Sequence, residues 1–278
     1  MRGVGVTGAL TDAVPPALVP VLEVLTQLGD AWFVLVAVAS VHWLAPRYGL
    51  IDERDALRYV ALGFAIFGTV VGLKAVFALG RPPASVALVA HDGYGFPSGH
   101  AVSSAALYGG AAALLSRPRC RHRWLAAAGL VTLVCATRLL LGVHFLVDVV
   151  AGVAAGAVLA GVVLAVTREG LLPGYALAAA LGVFGLGVAG STVEALAACG
   201  LGVGGLVTIV AVTRRPTVVR GPVRPLIALC GYVVVGGLAL AALKAPLPVY
   251  GVLITSGVAG AGVVALPATR LPLQNFSR

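Results

Sequence analysis

The chain has 278 residues, of which 60% are hydrophobic and 10% charged, with a mean hydropathy of +1.03, and this excludes an ordinary soluble globular domain. Its formal charge of +9 does not indicate nucleic acid, because the arginines fall in short connectors between apolar runs and form no basic domain. Cys120, Cys135, Cys199 and Cys230 have neither zinc-ligand spacing nor the density of a disulfide framework, and they read as packing residues.

A helix needs about 17 to 25 apolar residues to cross the hydrocarbon core, and it satisfies its own backbone polar groups there. The apolar runs are long and do not alternate, so the fold class is all-α, a polytopic membrane helix bundle rather than a barrel. The N-terminus carries one Arg and a run broken by Asp12, Pro15, Pro16 and Pro20, unlike a cleaved signal peptide. Residues 14–28 are short, opened by proline, interrupted by Glu23 and Gln27, and stopped at Gly29-Asp30; they predict a helix lying in the membrane interface. Spans follow at about 31–46, 57–79, 98–115, 124–141 and 143–166. Further spans at about 173–190, 194–212, 225–243 and 249–266 are rich in Gly and Ala, which suits close helix packing in lipid. Their charges, Glu194 and Lys244, are expected at span ends. The organisation is thus an N-terminal interfacial helix (1–30), a core of five spans (31–166) and an accessory region of four (167–278).

Alternate threading puts residues 80–97 and 141–144 on one face. The connectors at 46–58, 116–123, 167–170 and 213–224, with the C-terminus, fall on the other and carry most of the arginines, including Arg215, Arg220, Arg224, Arg270 and Arg278. By the positive-inside rule the Arg-rich face is cytoplasmic and the opposite face looks outward.

The chemistry-bearing residues collect on that outward face. Lys74 and Arg81 are seven apart, so two helical turns would project both from one side of the second span, and Arg138 ends the fourth. Three cations at an apolar boundary call for an anion, and a phosphoryl group accepts several such contacts. Ser98 and Gly99 open a helix after Pro97, where free backbone N–H groups favour an anion, and His100 sits in its first turn. His144 and Asp148 are four apart on the fifth span, placing a carboxylate where it can orient an imidazole. The sequence offers no carboxylate cluster to hold a metal, and no cofactor is expected.

Lys74 and Arg81-Pro82, then Pro97-Ser98-Gly99-His100, then Arg138, His144 and Asp148 form three motifs whose order and spacing resemble the signature of the type 2 phosphatidic acid phosphatase superfamily. That superfamily includes integral membrane lipid phosphatases, glucose 6-phosphatase-like enzymes and vanadium haloperoxidases. The chain departs from it at Thr137, where the family usually has Ser.

The resemblance implies that His144 attacks phosphorus to give a phosphohistidine, that Asp148 orients it, and that His100 protonates the leaving oxygen and then activates water. It also implies that Lys74, Arg81, Ser98, Gly99 and Arg138 hold the phosphoryl oxygens. His91, Asp92, Tyr94 and Phe96 are candidates for shaping a headgroup pocket, or are ordinary loop residues. The expected substrate is a lipid phosphate: a polyprenyl diphosphate, phosphatidic acid or phosphatidylglycerol phosphate. The competing readings are a lipid-linked phosphotransferase and a non-enzymatic polyprenyl-phosphate carrier; a haloperoxidase is disfavoured because such relatives are soluble. The expected setting is the cell membrane, crossed many times, with the site on the extracytoplasmic face. The last four spans are left as a surface for homo-oligomer formation, a lipid path or an accessory module.

Overall fold

The computed structural model describes residues 4–214 and 225–268. Arg215, Arg220, Arg224, Arg270 and Arg278 lie outside the described residues. Among those described, the regular structure is helical: α1 (Gly5–Asp12), α2 (Val19–Thr26), α3 (Ala31–Leu44), α4 (Glu53–Phe77), α5 (Gly99–Leu114), α6 (Cys120–Leu140), α7 (Leu146–Val166), α8 (Leu172–Ala189), α9 (Val193–Thr213), α10 (Pro225–Lys244) and α11 (Val249–Ala265). The nine spans expected from residue 31 onward each correspond to one helix.

Five of these, α4, α6, α7, α8 and α9, are long and apolar enough to cross a membrane. The chain is a multi-pass membrane protein. Two helices of the expected five-span core fall short. At 14 and 16 residues, α3 and α5 reach only about 21 and 24 Å, against about 30 Å of hydrocarbon. Burial explains how α5 tolerates this: most of its residues are enclosed by neighbouring helices rather than by lipid.

The helix expected over residues 14–28 corresponds to the helical stretch Pro16–Gly29; α1 precedes it, and the two form a pair bent by 97°, a geometry shared by broken spans and re-entrant loops. Proline sets the break: Pro15 is extended and Pro16 lacks the N–H an uninterrupted helix would need.

α4 is the central element, packed against α3, α5, α7, α8 and α9. Its Asp52 N-cap accepts the Asp55 N–H at 2.7 Å, and Ala78, in the left-handed region at φ 48°, closes it by donating to the Lys74 carbonyl at 2.9 Å. Gly68 lets α4 lie on the backbone of α8, since a Cβ there would stand 2.5 Å from the Leu181 carbonyl carbon. Buried aromatic donors find carbonyls on neighbouring helices: Tyr59 Oη donates to Leu107 at 3.0 Å, Trp43 Nε1 to Val263 at 2.9 Å, and Tyr175 Oη to Leu57 at 3.1 Å. These bonds keep polar atoms satisfied in a low-dielectric core while Val158, Val207 and Leu229 stay exposed on the outer surface.

The Arg-bearing connectors meet at one end of the bundle. Arg54 Nη2 donates to the Arg168 carbonyl at 2.5 Å, Arg58 Nε donates to Thr167 Oγ1 at 3.0 Å, Ser116 Oγ donates to the Leu50 carbonyl at 2.9 Å, and Arg123 donates to the Leu115 carbonyl. The other end of α4, with Lys74, carries the residues of the site.

Candidate active site

Three backbone junctions bring the site together. The Ser98 N–H, just before α5, donates to the Asp148 carbonyl of α7 at 2.9 Å. The loop of residues 80–97 is pinned to the turn after α6 by the Leu88 N–H, which donates to the Leu141 carbonyl at 3.0 Å. That turn pivots on Gly142, at φ 72°, where a Cβ would stand 2.5 Å from the Val86 carbonyl oxygen.

His144 and Asp148 meet, but not as neighbours on one helix face. The fifth long helix begins at Leu146, so His144 lies two residues before it, in the turn, and Phe145 is the N-cap. Asp148 stands in the first helical turn, where its Oδ2 accepts the Phe145 N–H at 3.0 Å and lies 3.5 Å from His144 Nδ1. Both side chains are buried. The imidazole–carboxylate distance is long for a hydrogen bond, and such contacts commonly tighten when substrate binds.

Arg81 also sits differently from expectation. Because α4 stops at Phe77, Arg81 belongs to the following loop and does not share a helix face with Lys74. Loop and turn carbonyls hold it instead. Its Nε donates to the Asp92 and Gly93 carbonyls at 3.0 and 3.3 Å, and its Nη1 donates to the Val143 carbonyl at 3.1 Å. The same Nη1 lies 3.2 Å from His144 Nε2. A guanidinium can only donate, so His144 Nε2 is the acceptor, with its lone pair facing Arg81 and its proton on Nδ1 toward Asp148. Burial, with the charges of Arg81, Arg138 and Lys74, outweighs Asp148 and pushes the His144 imidazole down to about 3. It is therefore neutral at ordinary pH.

The remaining predicted phosphate contacts converge on the start of α5. Lys74 lies in the last turn of α4, and a Cβ on Gly99 would stand 3.7 Å from its Nζ. Its charge is close enough to interact with those of Arg81 and Arg138. Ser98 is the N-cap of α5, yet its hydroxyl caps nothing; Ser98 Oγ is buried without a hydrogen-bond partner among the described residues, as is Arg138 Nε. Buried polar atoms without partners are costly, and an anionic oxygen is the kind of acceptor that both donors lack. Thr137 offers less: its hydroxyl donates to the Val134 carbonyl of its own helix at 2.7 Å.

A cavity of about 300 Å³ opens beside His100 and Arg138, lined also by Glu23, Thr26, Gln27, Asp30, Val89, Ala90, Leu141 and Val143. The loop contributes Val89 and Ala90 to its wall, whereas His91, Asp92, Tyr94 and Phe96 do not line it. Asp92 serves Arg81 through its backbone, Phe96 stacks edge-on against Phe77 at 4.9 Å, and Tyr94 is exposed. Among the described residues, no cluster of three or more His, Cys, Asp or Glu is arranged to hold a metal ion.

Three N-terminal residues reach the site without having been expected there. Thr7 Oγ1 donates to the His144 carbonyl at 3.3 Å, Thr26 Oγ1 accepts from Arg138 Nη1 at 2.9 Å, and Asp30 Oδ1 lies 2.9 Å from His100 Nε2. Their identities alone carry little signal. Asp30 was legible only as the stop of an apolar run.

Comparison with curated proteins gives no match. Among solved structures, the chain is similar to a transmembrane PAP2-type phosphatidylglycerolphosphate phosphatase from Bacillus subtilis, at 25% identity and a TM-score of 0.50, covering 59% of this chain and 84% of that one. Residues 56–170, which carry the three motifs from Lys74 to Asp148, match the family model of the PAP2 superfamily.

Proposed function

We propose that the protein is a membrane lipid phosphatase that works through a phosphohistidine at His144, without a metal ion. The observation that carries this reading is the contact between Arg81 Nη1 and His144 Nε2, which aims a neutral imidazole lone pair at a cluster of cations. A phosphoryl group entering between them would take over the guanidinium as a ligand to its oxygens and leave Nε2 free to attack.

In the first step the Nε2 lone pair forms a bond to phosphorus while the bond to the leaving oxygen breaks. His100 gives that oxygen its proton. Nδ1–H of the phosphorylated ring faces Asp148, whose carboxylate offsets the ring's positive charge. In the second step His100 takes a proton from water, the water oxygen attacks phosphorus, and the P–N bond breaks to return neutral His144 and release phosphate. Lys74, Arg81, Arg138, Ser98 Oγ and the Gly99 N–H hold the equatorial oxygens throughout.

The substrate class follows from the site's position at one end of the membrane helices. A phosphate carried at headgroup level reaches it directly, which favours phosphatidylglycerol phosphate, phosphatidic acid or a polyprenyl diphosphate over a soluble sugar phosphate. Purified protein in detergent is expected to release phosphate from at least one of these lipids, equally with and without EDTA. Intact lipids together with transfer to an added alcohol would replace hydrolysis by phosphotransfer; loss of activity in EDTA, restored by a divalent ion, would overturn the metal-free mechanism.

The gathering of Arg54, Arg58, Arg123 and Arg168 at the end away from Lys74 supports an outward-facing site in the cell membrane. A cysteine introduced at the exposed Tyr94, in a background with the native cysteines replaced, should react in intact cells with a membrane-impermeant maleimide. Reaction only after permeabilisation would reverse the orientation.

A further inference from the structure

Asp30 occupies a position that ordinarily has a different use. It is the N-cap of α3, with extended backbone at φ −75° and ψ 155°, and Asp is among the best residues for capping a helix there. Two other N-caps follow the rule: Asp52 and Thr192 both accept from backbone N–H groups of the helices they open. Asp30 makes no such bond. It gives up the capping contribution, and its Oδ1 lies 2.9 Å from His100 Nε2 instead.

The surroundings hold that alternative in place. Tyr108 Oη, on α5 itself, donates to the Leu28 carbonyl at 2.8 Å and ties the turn before Asp30 to the helix that bears His100. Gly29 allows the close approach, since a Cβ there would stand 3.1 Å from His100 Cβ and Cδ2 and 2.8 Å from Val134 Cγ1. One residue type thus lets the backbone rest on the imidazole, and the next supplies a carboxylate to it. Asp30 and His100 both line the cavity beside Arg138.

We infer that Asp30 is a positioning residue for His100, forming a second carboxylate–imidazole pair beside His144–Asp148 and making the N-terminal segment a working wall of the active site. This rests on the phosphatase reading above and extends it beyond residues 56–170. The charged groups around His100 are Asp30 from the turn before α3, Arg138 from α6 and Lys74 from α4, with Glu23 of α2 in the wall of the same cavity. The two cations oppose the imidazolium; Asp30 is the carboxylate within contact distance of it. A general acid must hold its proton in the free enzyme, and Asp30 is placed to favour that proton on His100, against the burial and the cations that oppose it. The other two N-terminal contacts, Thr7 to the His144 carbonyl and Thr26 to Arg138, brace neighbouring parts of the same site.

The test uses full-length protein in detergent and compares wild type with Asp30→Asn and Asp30→Ser. Serine can cap α3 and therefore preserves the fold without the charge. Two readouts are taken: the pH profile of kcat/KM on phosphatidylglycerol phosphate, and the titration of His100 by NMR of ¹⁵N-histidine-labelled protein, assigned with His100→Gln. Both variants are expected to lose on the order of 10- to 100-fold in kcat. Their alkaline limb and the His100 midpoint should move to lower pH together, because removing the anion disfavours the imidazolium, while Asp30→Glu recovers much of both. An unmoved His100 midpoint in both charge-free variants would overturn the pairing. If wild-type protein releases no phosphate while the midpoint still shifts, the pair stands, but the phosphatase reading and Asp30's catalytic purpose fall.

Discussion

His144→Asn is expected to eliminate phosphate release, by on the order of 10⁴-fold or more, because no other group replaces a lost covalent nucleophile. Asparagine retains a polar side chain but has no imidazole lone pair to place on phosphorus. Phosphate release by the variant within a factor of ten of wild type, measured in detergent on the same lipid, would remove the phosphohistidine from the mechanism and leave a binding role for the site. The same variant exposes an effect on stability. His144 titrates near 6.5 when unfolded but is held down to about 3 in the folded protein, chiefly by burial. The unfolded chain therefore binds this proton more readily. The contribution of neutral His144 is fully present above about pH 6.5 and is lost as pH falls from there through about 3. Thermal unfolding of wild type should accordingly weaken more steeply across that window than unfolding of His144→Asn, and parallel slopes would argue against the buried neutral imidazole.

Arg81→Lys should cost about 10² to 10³ in kcat/KM, a loss comparable to removing an oxyanion donor. Preserving the charge is not enough at this position. Arg81 contacts the Asp92, Gly93 and Val143 carbonyls and His144 Nε2 at once, and an ammonium has neither the planar fork nor the span to do so. The variant thus loses the link between loop 80–97 and the nucleophile as well as the geometry offered to phosphate. KM and kcat are both expected to worsen. A loss below about threefold would mean that Arg81 acts only as a surface charge, and steady-state kinetics on one lipid phosphate decides the matter.

Much of the site can be read along the chain because its motifs are local. Pro97 to His100 are contiguous, and Arg138, His144 and Asp148 fall within a short stretch around one turn. The local geometry is less legible. Helical spacing placed Arg81 with Lys74 and His144 with Asp148 on shared helix faces, whereas Ala78 ends α4 in a left-handed conformation and α7 starts only at Leu146. Helix ends depend on caps and on which tertiary contacts satisfy the terminal backbone groups, and hydropathy carries little information about either. The pairs survive because the turn and loop fold back on themselves through Leu88, Leu141 and Gly142, not because of helical periodicity.

By itself, the sequence determined that this is a helical membrane protein with a cationic, histidine-bearing site at one end of its bundle. The length of an apolar run and the spacing of polar residues are one-dimensional properties that the bilayer reads directly. Only the tertiary structure decided that the bent N-terminal pair supplies Thr7, Thr26 and Asp30 to that site, and that α5 is short and enclosed. Those outcomes depend on contacts between residues far apart in the chain. Asp30 meets His100 because Gly29 and Tyr108 bring two backbones together, a circumstance that neither residue's own neighbourhood encodes.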